Sequence, residues 1–102
     1  MNFKHLHYFW AAAKAGGIVR ASEQLHITPQ TLSGQIKLLE ESLGCSLFQK
    51  RGRGLELTPE GRTALSYADQ IFALGSELEA ALGSRGEGAR ALEFPVGIAR
   101  AV

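Results

Sequence analysis

The sequence predicts a mostly α fold: three helices and a two-stranded β-hairpin, followed by one long helix. Three observations predict it. Apolar residues recur at helical spacing through three early segments and one late one. The dipeptide Thr-Pro occurs at Thr28-Pro29 and again at Thr58-Pro59, each time opening such a segment. Between them a glycine-punctuated basic stretch, Arg51-Gly52-Arg53-Gly54, separates two short apolar runs.

The elements follow in order. From Asn2 to Ala15, Leu6, Phe9, Trp10 and Ala13 form a core-facing stripe, and Gly16-Gly17 ends the helix. Ile18 to His26 is a short second helix with Ala21, Ser22 and Leu25 inward, and His26-Ile27-Thr28 is a tight connection. Thr28 is an N-cap whose hydroxyl can accept from an orphan N–H of the first turn. Pro29 sits at the first helical position, where a missing N–H costs nothing. This third helix runs to Leu43 and is capped by Gly44. Leu32, Ile36, Leu39 and Leu43 are its buried stripe, with Gln30, Ser33, Gly34, Lys37 and Glu41 on the opposite side. Leu47 to Lys50 and Leu55 to Thr58 are the strands, and Arg51 to Gly54 the tip. Pro59 opens a fourth helix that reaches Leu82.

Gly83 to Gly88 reads as a flexible linker, and Leu92 to Ala99 as a single strand without a partner. A lone strand is not stable, so this segment is expected to be the edge of a further domain in a longer protein. The division expected is a winged helix-turn-helix at 1–58, a dimerisation helix at 59–82, and linker plus truncated strand at 83–102.

Composition narrows the function classes. The 102 residues suffice for one core. The formal charge is only +1, but it is unevenly spread. Residues 1–62 hold eight Lys/Arg against five Asp/Glu, while residues 63–102 hold three against five. The basic front is where nucleic acid is expected. Cys45 is the only cysteine, which fits a reducing cytosol and a small half-buried filler. There is no signal peptide and no run long enough to span a bilayer, so a cytoplasmic protein without membrane association is expected. His5 and His7 are two apart and diverge on a helix, so with His26 they read as surface or capping residues. The sequence contains no phosphate loop, zinc spacing or Ser/His/Asp grouping. No enzyme activity, cofactor or metal is expected.

Two helices joined by three residues, the second well capped, form a helix-turn-helix pattern. In that motif the second helix enters the major groove of double-stranded DNA by its N-terminal end. Gln30 can pair with adenine, and the Thr31 methyl can pack on thymine. Ser33 lies beside them; Lys37 and the Thr28 hydroxyl suit phosphate. Gly34 is unusual there, since a glycine inside a helix costs about 1 kcal/mol relative to alanine. Either its missing side chain lets the backbone approach DNA, or a neighbouring helix crowds it. Arg51 and Arg53 at the hairpin tip make a wing suited to a narrow minor groove. On the long helix, Ala64, Tyr67, Ile71, Leu74, Leu78 and Ala81 follow heptad spacing. Leu65, Ala68, Phe72 and Leu82 make a second stripe beside them. One stripe can cover the chain's own core, and the other implies a second copy, hence a homodimer that reads two half-sites.

These residues also carry a family resemblance. The run Ala21-Ser22-Glu23-Gln24-Leu25-His26-Ile27-Thr28-Pro29-Gln30-Thr31-Leu32-Ser33-Gly34-Gln35-Ile36-Lys37-Leu38-Leu39-Glu40 resembles the N-terminal domain of LysR-type transcriptional regulators. So do Leu43-Gly44, Leu47-Phe48 and Leu57-Thr58-Pro59-Glu60-Gly61. Within the family, His5 to Trp10, Thr28 to Thr31, Gly34 to Ile36 and Arg51 to Glu56 resemble most the branch that activates a sodium/proton antiporter gene.

The resemblance implies a sequence-specific activator that binds a pseudo-palindromic promoter site as a homodimer, or as a tetramer when full-length. A small effector, a sodium ion or pH, would act only through the further domain. It carries Gln30, Thr31, Ser33 and Lys37 over as recognition residues and Arg51 and Arg53 as wing residues. Two departures stand out. The family's usual Ser-Gln-Pro is Thr28-Pro29-Gln30 here, and its usual basic residue at 34 is Gly34. Fewer side chains are therefore expected to read bases. The alternatives are a winged-helix protein-interaction module and a winged-helix regulator of another family.

Overall fold

The computed structural model describes residues 1–83. Gly83, expected to open the linker, is instead the last residue of the fourth helix; the rest of that linker and the strand expected at 92–99 lie outside the described residues. The elements are α1 (Phe3–Ala15), α2 (Ile18–Leu25), α3 (Pro29–Leu43), β1 (Phe48–Arg51), β2 (Gly54–Leu57) and α4 (Pro59–Gly83). The expected order of helices and hairpin is the observed one.

Met1–Ala68 form one compact unit, and α4 runs on into a second that begins at Asp69. In the first unit α1 packs against both α2 and α3, and α2 packs against α3. Leu6, Phe9 and Ala12 of α1, Ala21 of α2, and Leu32, Ile36 and Leu39 of α3 are buried, together with Leu47 and Ala68. At the root of the hairpin, the Phe48 ring lies 5.4 Å from that of Phe9 at a tilt of 56°. Such tilted aromatic pairs add to the stabilisation from burial.

The helix ends are set by local chemistry. Asn2 precedes α1 and does not belong to it: its carboxamide oxygen accepts from the N–H groups of Lys4 (2.7 Å) and His5 (3.3 Å). The second helix stops at Leu25, one residue earlier than the pattern predicts. His26 takes a left-handed conformation (φ 60°) as its C-cap, a capping role for one of the three histidines. The buried Ser22 hydroxyl donates to the Val19 carbonyl at 2.7 Å, so it is satisfied within its own helix. Gly44 ends α3 with φ 78°, and its N–H and that of Cys45 both donate to the Glu40 carbonyl.

Two stripe assignments need correction. On α1 the buried position is Ala12, while Trp10 and Ala13 are only half-buried. Helical spacing allows either alanine; contact with two other helices at once selects the line Leu6–Phe9–Ala12. On α3 Leu43, in the last turn, is 41% exposed and stands outside the buried set Leu32, Ile36 and Leu39. His7 is half-buried with its ring 5.6 Å from that of Trp10, and burial pushes its imidazole below the usual pKa range.

Candidate nucleic-acid interface

The third helix begins with a closed local circuit. The Thr28 hydroxyl accepts from the Thr31 N–H at 3.1 Å and donates to the Thr31 hydroxyl oxygen at 2.9 Å. The Thr28 carbonyl accepts from the Leu32 N–H. Pro29 has no N–H. The Gln30 N–H is thus the first-turn backbone donor left open among the described residues, at the positive end of the helix dipole. The Thr28 proton is engaged locally, so a hydroxyl donor facing outward from this turn would be that of Thr31.

Gln30, Thr31, Ser33, Gly34 and Lys37 are all exposed, and they lie on the side of α3 away from Leu32, Ile36 and Leu39. The structure removes one of the two accounts of Gly34, crowding by a neighbouring helix. Apart from its chain neighbours and the nearby backbone of α3 itself, no atom lies within 4 Å of where a Cβ would stand, so crowding by another helix is not what keeps this position small. The space in front of it is open.

The hairpin differs from expectation by one position on each side. Phe48 pairs with Leu57, Gln49 with Glu56, Lys50 with Leu55 and Arg51 with Gly54. The turn is therefore only Gly52-Arg53. Gly52 has φ 59° while Arg53 does not have positive φ, the pattern of a type II′ turn, whose first central position needs glycine. Arg53 stands in the turn itself, whereas Arg51 is a strand residue.

This register sorts the charges by face, since side chains alternate along a strand. Gln49, Arg51 and Glu56 share one face; Phe48, Lys50, Leu55 and Leu57 share the other. Arg51 Nη1 donates to Glu56 Oε2 at 3.1 Å, and Gln49 Nε2 donates to the same oxygen at 3.0 Å. Among the described residues Lys37, Lys50 and Arg53 have no ion-pair partner. The two wing arginines are thus not equivalent: one charge is paired and the other is open.

Glu40 joins helix to wing. Its Oε2 accepts from the N–H groups of Leu47 (2.7 Å) and Phe48 (3.2 Å), which pins the start of the hairpin to the penultimate turn of α3. A second joint lies at Thr58. Its N–H donates to the Leu47 carbonyl, its hydroxyl donates to the Ser46 carbonyl at 2.7 Å, and the same hydroxyl accepts from the Gly61 N–H at 2.9 Å. The second Thr-Pro dipeptide thus caps α4 and anchors it to the hairpin at once.

The functional candidates missed in the sequence are Glu40 and Glu56. Glu56 was accessible in principle, because a two-residue turn would have put it opposite Gln49 and diagonal to Arg51. For Glu40 no local signal existed, since its partners lie seven and eight residues away.

On α4, Tyr67 (62%), Leu74 (64%) and Leu78 (43%) are among the exposed large apolar residues. Ala81 is also exposed, while Ala64 and Ile71 are half-buried. In the neighbouring stripe Ala68 is fully buried, Leu65 and Phe72 are half-buried and Leu82 is 42% exposed.

Residues 3–62, which span α1 to the start of α4, match the family described as bacterial regulatory helix-turn-helix protein, lysR family. The chain belongs to the LysR family. Over all 102 residues it is 44% identical to the transcriptional activator protein NhaR of Escherichia coli K12, covering 33% of that protein. The chain therefore spans about a third of the length of this LysR relative. Among solved structures it is similar to the BenM DNA-binding domain in complex with catB site 1 DNA. That match has TM-score 0.78 and 30% identity, over 85% of this chain and 98% of that one. It is also similar to the CbnR DNA-binding domain–DNA complex, with TM-score 0.69 and 36% identity, over 88% of this chain and 99% of that one. The LysR resemblance drawn from the motifs and the winged helix-turn-helix fold class both hold. No helix of the described residues is long and apolar enough to cross a membrane.

Proposed function

We propose that this chain is the DNA-binding part of a LysR-type transcriptional activator that binds a pseudo-palindromic promoter site as a homodimer through α4. The observation that carries this reading is the pairing of a capped helix, with an exposed polar face and an open Gly34, with a wing whose turn presents an unpaired arginine. The likeness to BenM and CbnR domains in complex with DNA supports it. Gln30, Thr31 and Ser33 then read bases, with the backbone at Gly34 close to the groove. Lys37, the helix start at Thr28 and the wing residues Arg51 and Arg53 grip phosphate and the minor groove. The protein acts in the cytoplasm as a regulator and not as an enzyme. Sensing of an effector, and assembly beyond a dimer, belong to a further domain. The similarity to NhaR supports an activator, and the motif resemblance extends this to a sodium/proton antiporter gene as the target.

Two substitutions test the division between grip and readout. Arg53→Ala is expected to weaken binding to every sequence and to lower the salt slope of log K by about one unit, because one phosphate-neutralising charge is lost. A loss confined to one sequence at unchanged slope would refute that role. Gln30→Ala is expected to cost roughly 1–3 kcal/mol at one base pair in each half-site. Fluorescence anisotropy on matched and mismatched duplexes measures it; equal losses on random and selected DNA count against base reading. Absence of binding to any duplex at low salt would favour a protein-interaction module instead.

A further inference from the structure

We propose that Glu56 is a specificity-determining residue of the wing: its carboxylate holds Arg51 away from phosphate and lowers binding to DNA in general. This rests on the reading of the wing as a DNA contact. The hairpin register puts Glu56 diagonal to Arg51 on one face and directly opposite Gln49. Oε2 of Glu56 accepts from both, at 3.1 and 3.0 Å. Gln49 is neutral, so it orients the carboxylate toward Arg51 without adding charge. The other basic wing residue in a strand, Lys50, lies on the opposite face. The Gln49–Arg51–Glu56 face is therefore neutral overall, and only Arg53 at the turn offers an uncompensated arginine.

The pair is exposed, with side chains 75% and 38% accessible, so it is weak and can open. That weakness matters for selectivity. On arbitrary DNA the attraction is that of the phosphate backbone alone, and it competes with Glu56 for the same guanidinium. A narrow minor groove has a stronger negative potential and draws arginine in. There Arg51 can leave Glu56. The carboxylate thus subtracts more from loose backbone contact than from a well-seated wing, and the ratio of specific to general affinity rises.

The test uses Glu56→Gln in the whole chain. This change is isosteric and keeps an acceptor for Gln49, so the thermal midpoint is expected to stay close to that of the wild type. Two probes are used: a random-sequence duplex, and a duplex selected by the wild-type protein from a random pool. Binding is followed by anisotropy between about 50 and 200 mM salt. The variant is expected to bind the random duplex roughly 3- to 10-fold more tightly at the low-salt end. Its salt slope is expected to steepen by about one unit, with a smaller gain on the selected duplex. In an Arg51→Ala background the gain is expected to vanish, because no guanidinium remains to be released.

An unchanged slope overturns the proposal. So does an equal gain on both duplexes, or a gain that persists without Arg51, which would mean general charge removal. Failure of the wild-type chain to bind either duplex would overturn the DNA-binding reading itself, a result distinct from these.

Discussion

Gly61→Ala is expected to destabilise the protein by about 1–3 kcal/mol, the range for forcing extra atoms into a packed site. A Cβ built at Gly61 would overlap the Leu47 carbonyl oxygen and come within 3.0 Å of both the Leu47 carbonyl carbon and Leu57 Cδ2. The obstacle is backbone, and it is held from several sides. The Leu47 carbonyl accepts from the Thr58 N–H, and the Leu47 N–H donates to Glu40. Neither can give way without loosening the joint between α3, the hairpin and α4. Alanine's better helix propensity, worth about 1 kcal/mol in a helix interior, offsets part of the cost. For a domain of this size each kcal/mol corresponds to about 4–8 °C in the thermal midpoint. Circular dichroism melting measures the shift directly. A midpoint equal to or above that of the wild type would show that the first turn of α4 can move away from Leu47 at no cost.

Leu74→Glu is expected to convert a dimer into a folded monomer. Leu74 is 64% exposed, so the substitution removes little from the chain's own core, and the melting midpoint should stay close to that of the wild type. In a two-fold dimer the same patch meets itself, so each new carboxylate would face the partner's apolar stripe and approach its own copy. Tyr67, two turns before it, and Leu78, one turn after it on the same stripe, would be left without cover. A monomer contacts one half-site at a time. Loss of the linked second contact is expected to reduce affinity for a two-half-site duplex by at least about 10²-fold. Binding to a single half-site should be nearly unchanged. Sedimentation velocity and anisotropy on the two duplexes test both parts. A variant that still sediments as a dimer would place the dimer contact elsewhere.

Much of α3 was legible because its signals act within one or two turns. Thr28 and Pro29 specify where α3 starts, Gly44 where it stops, and the repeat Leu32–Ile36–Leu39 which side is buried. Each depends on neighbours in the chain, and each appears in the structure as read except that Leu43, the last member of the stripe, is exposed. The hairpin was legible in kind but not in register. Glycines at 52 and 54 both permit a turn, and only strand pairing selects Gly52-Arg53 as the turn itself. That one-residue choice determines which arginine shares a face with Glu56, because strand faces alternate with every residue.

From the residues alone came the element order, the caps at Thr28, Gly44 and Thr58, the polar face of α3, the basic tip and the double stripe of α4. All of these rest on backbone preferences and on periodicities of 3.6 and 2, which operate between near neighbours. Folding in three dimensions supplied the remainder. It put Ala12 and not Ala13 in the core, left Leu43 exposed and cleared the space before Gly34. It also brought Glu40 to the start of the wing, Gly61 against Leu47 and Glu56 beside Arg51. The physical reason is common to all of these. They are settled by steric fit, hydrogen-bond geometry and charge pairing between groups that meet only when the helices and hairpin close on one another, and no local pattern encodes those distances.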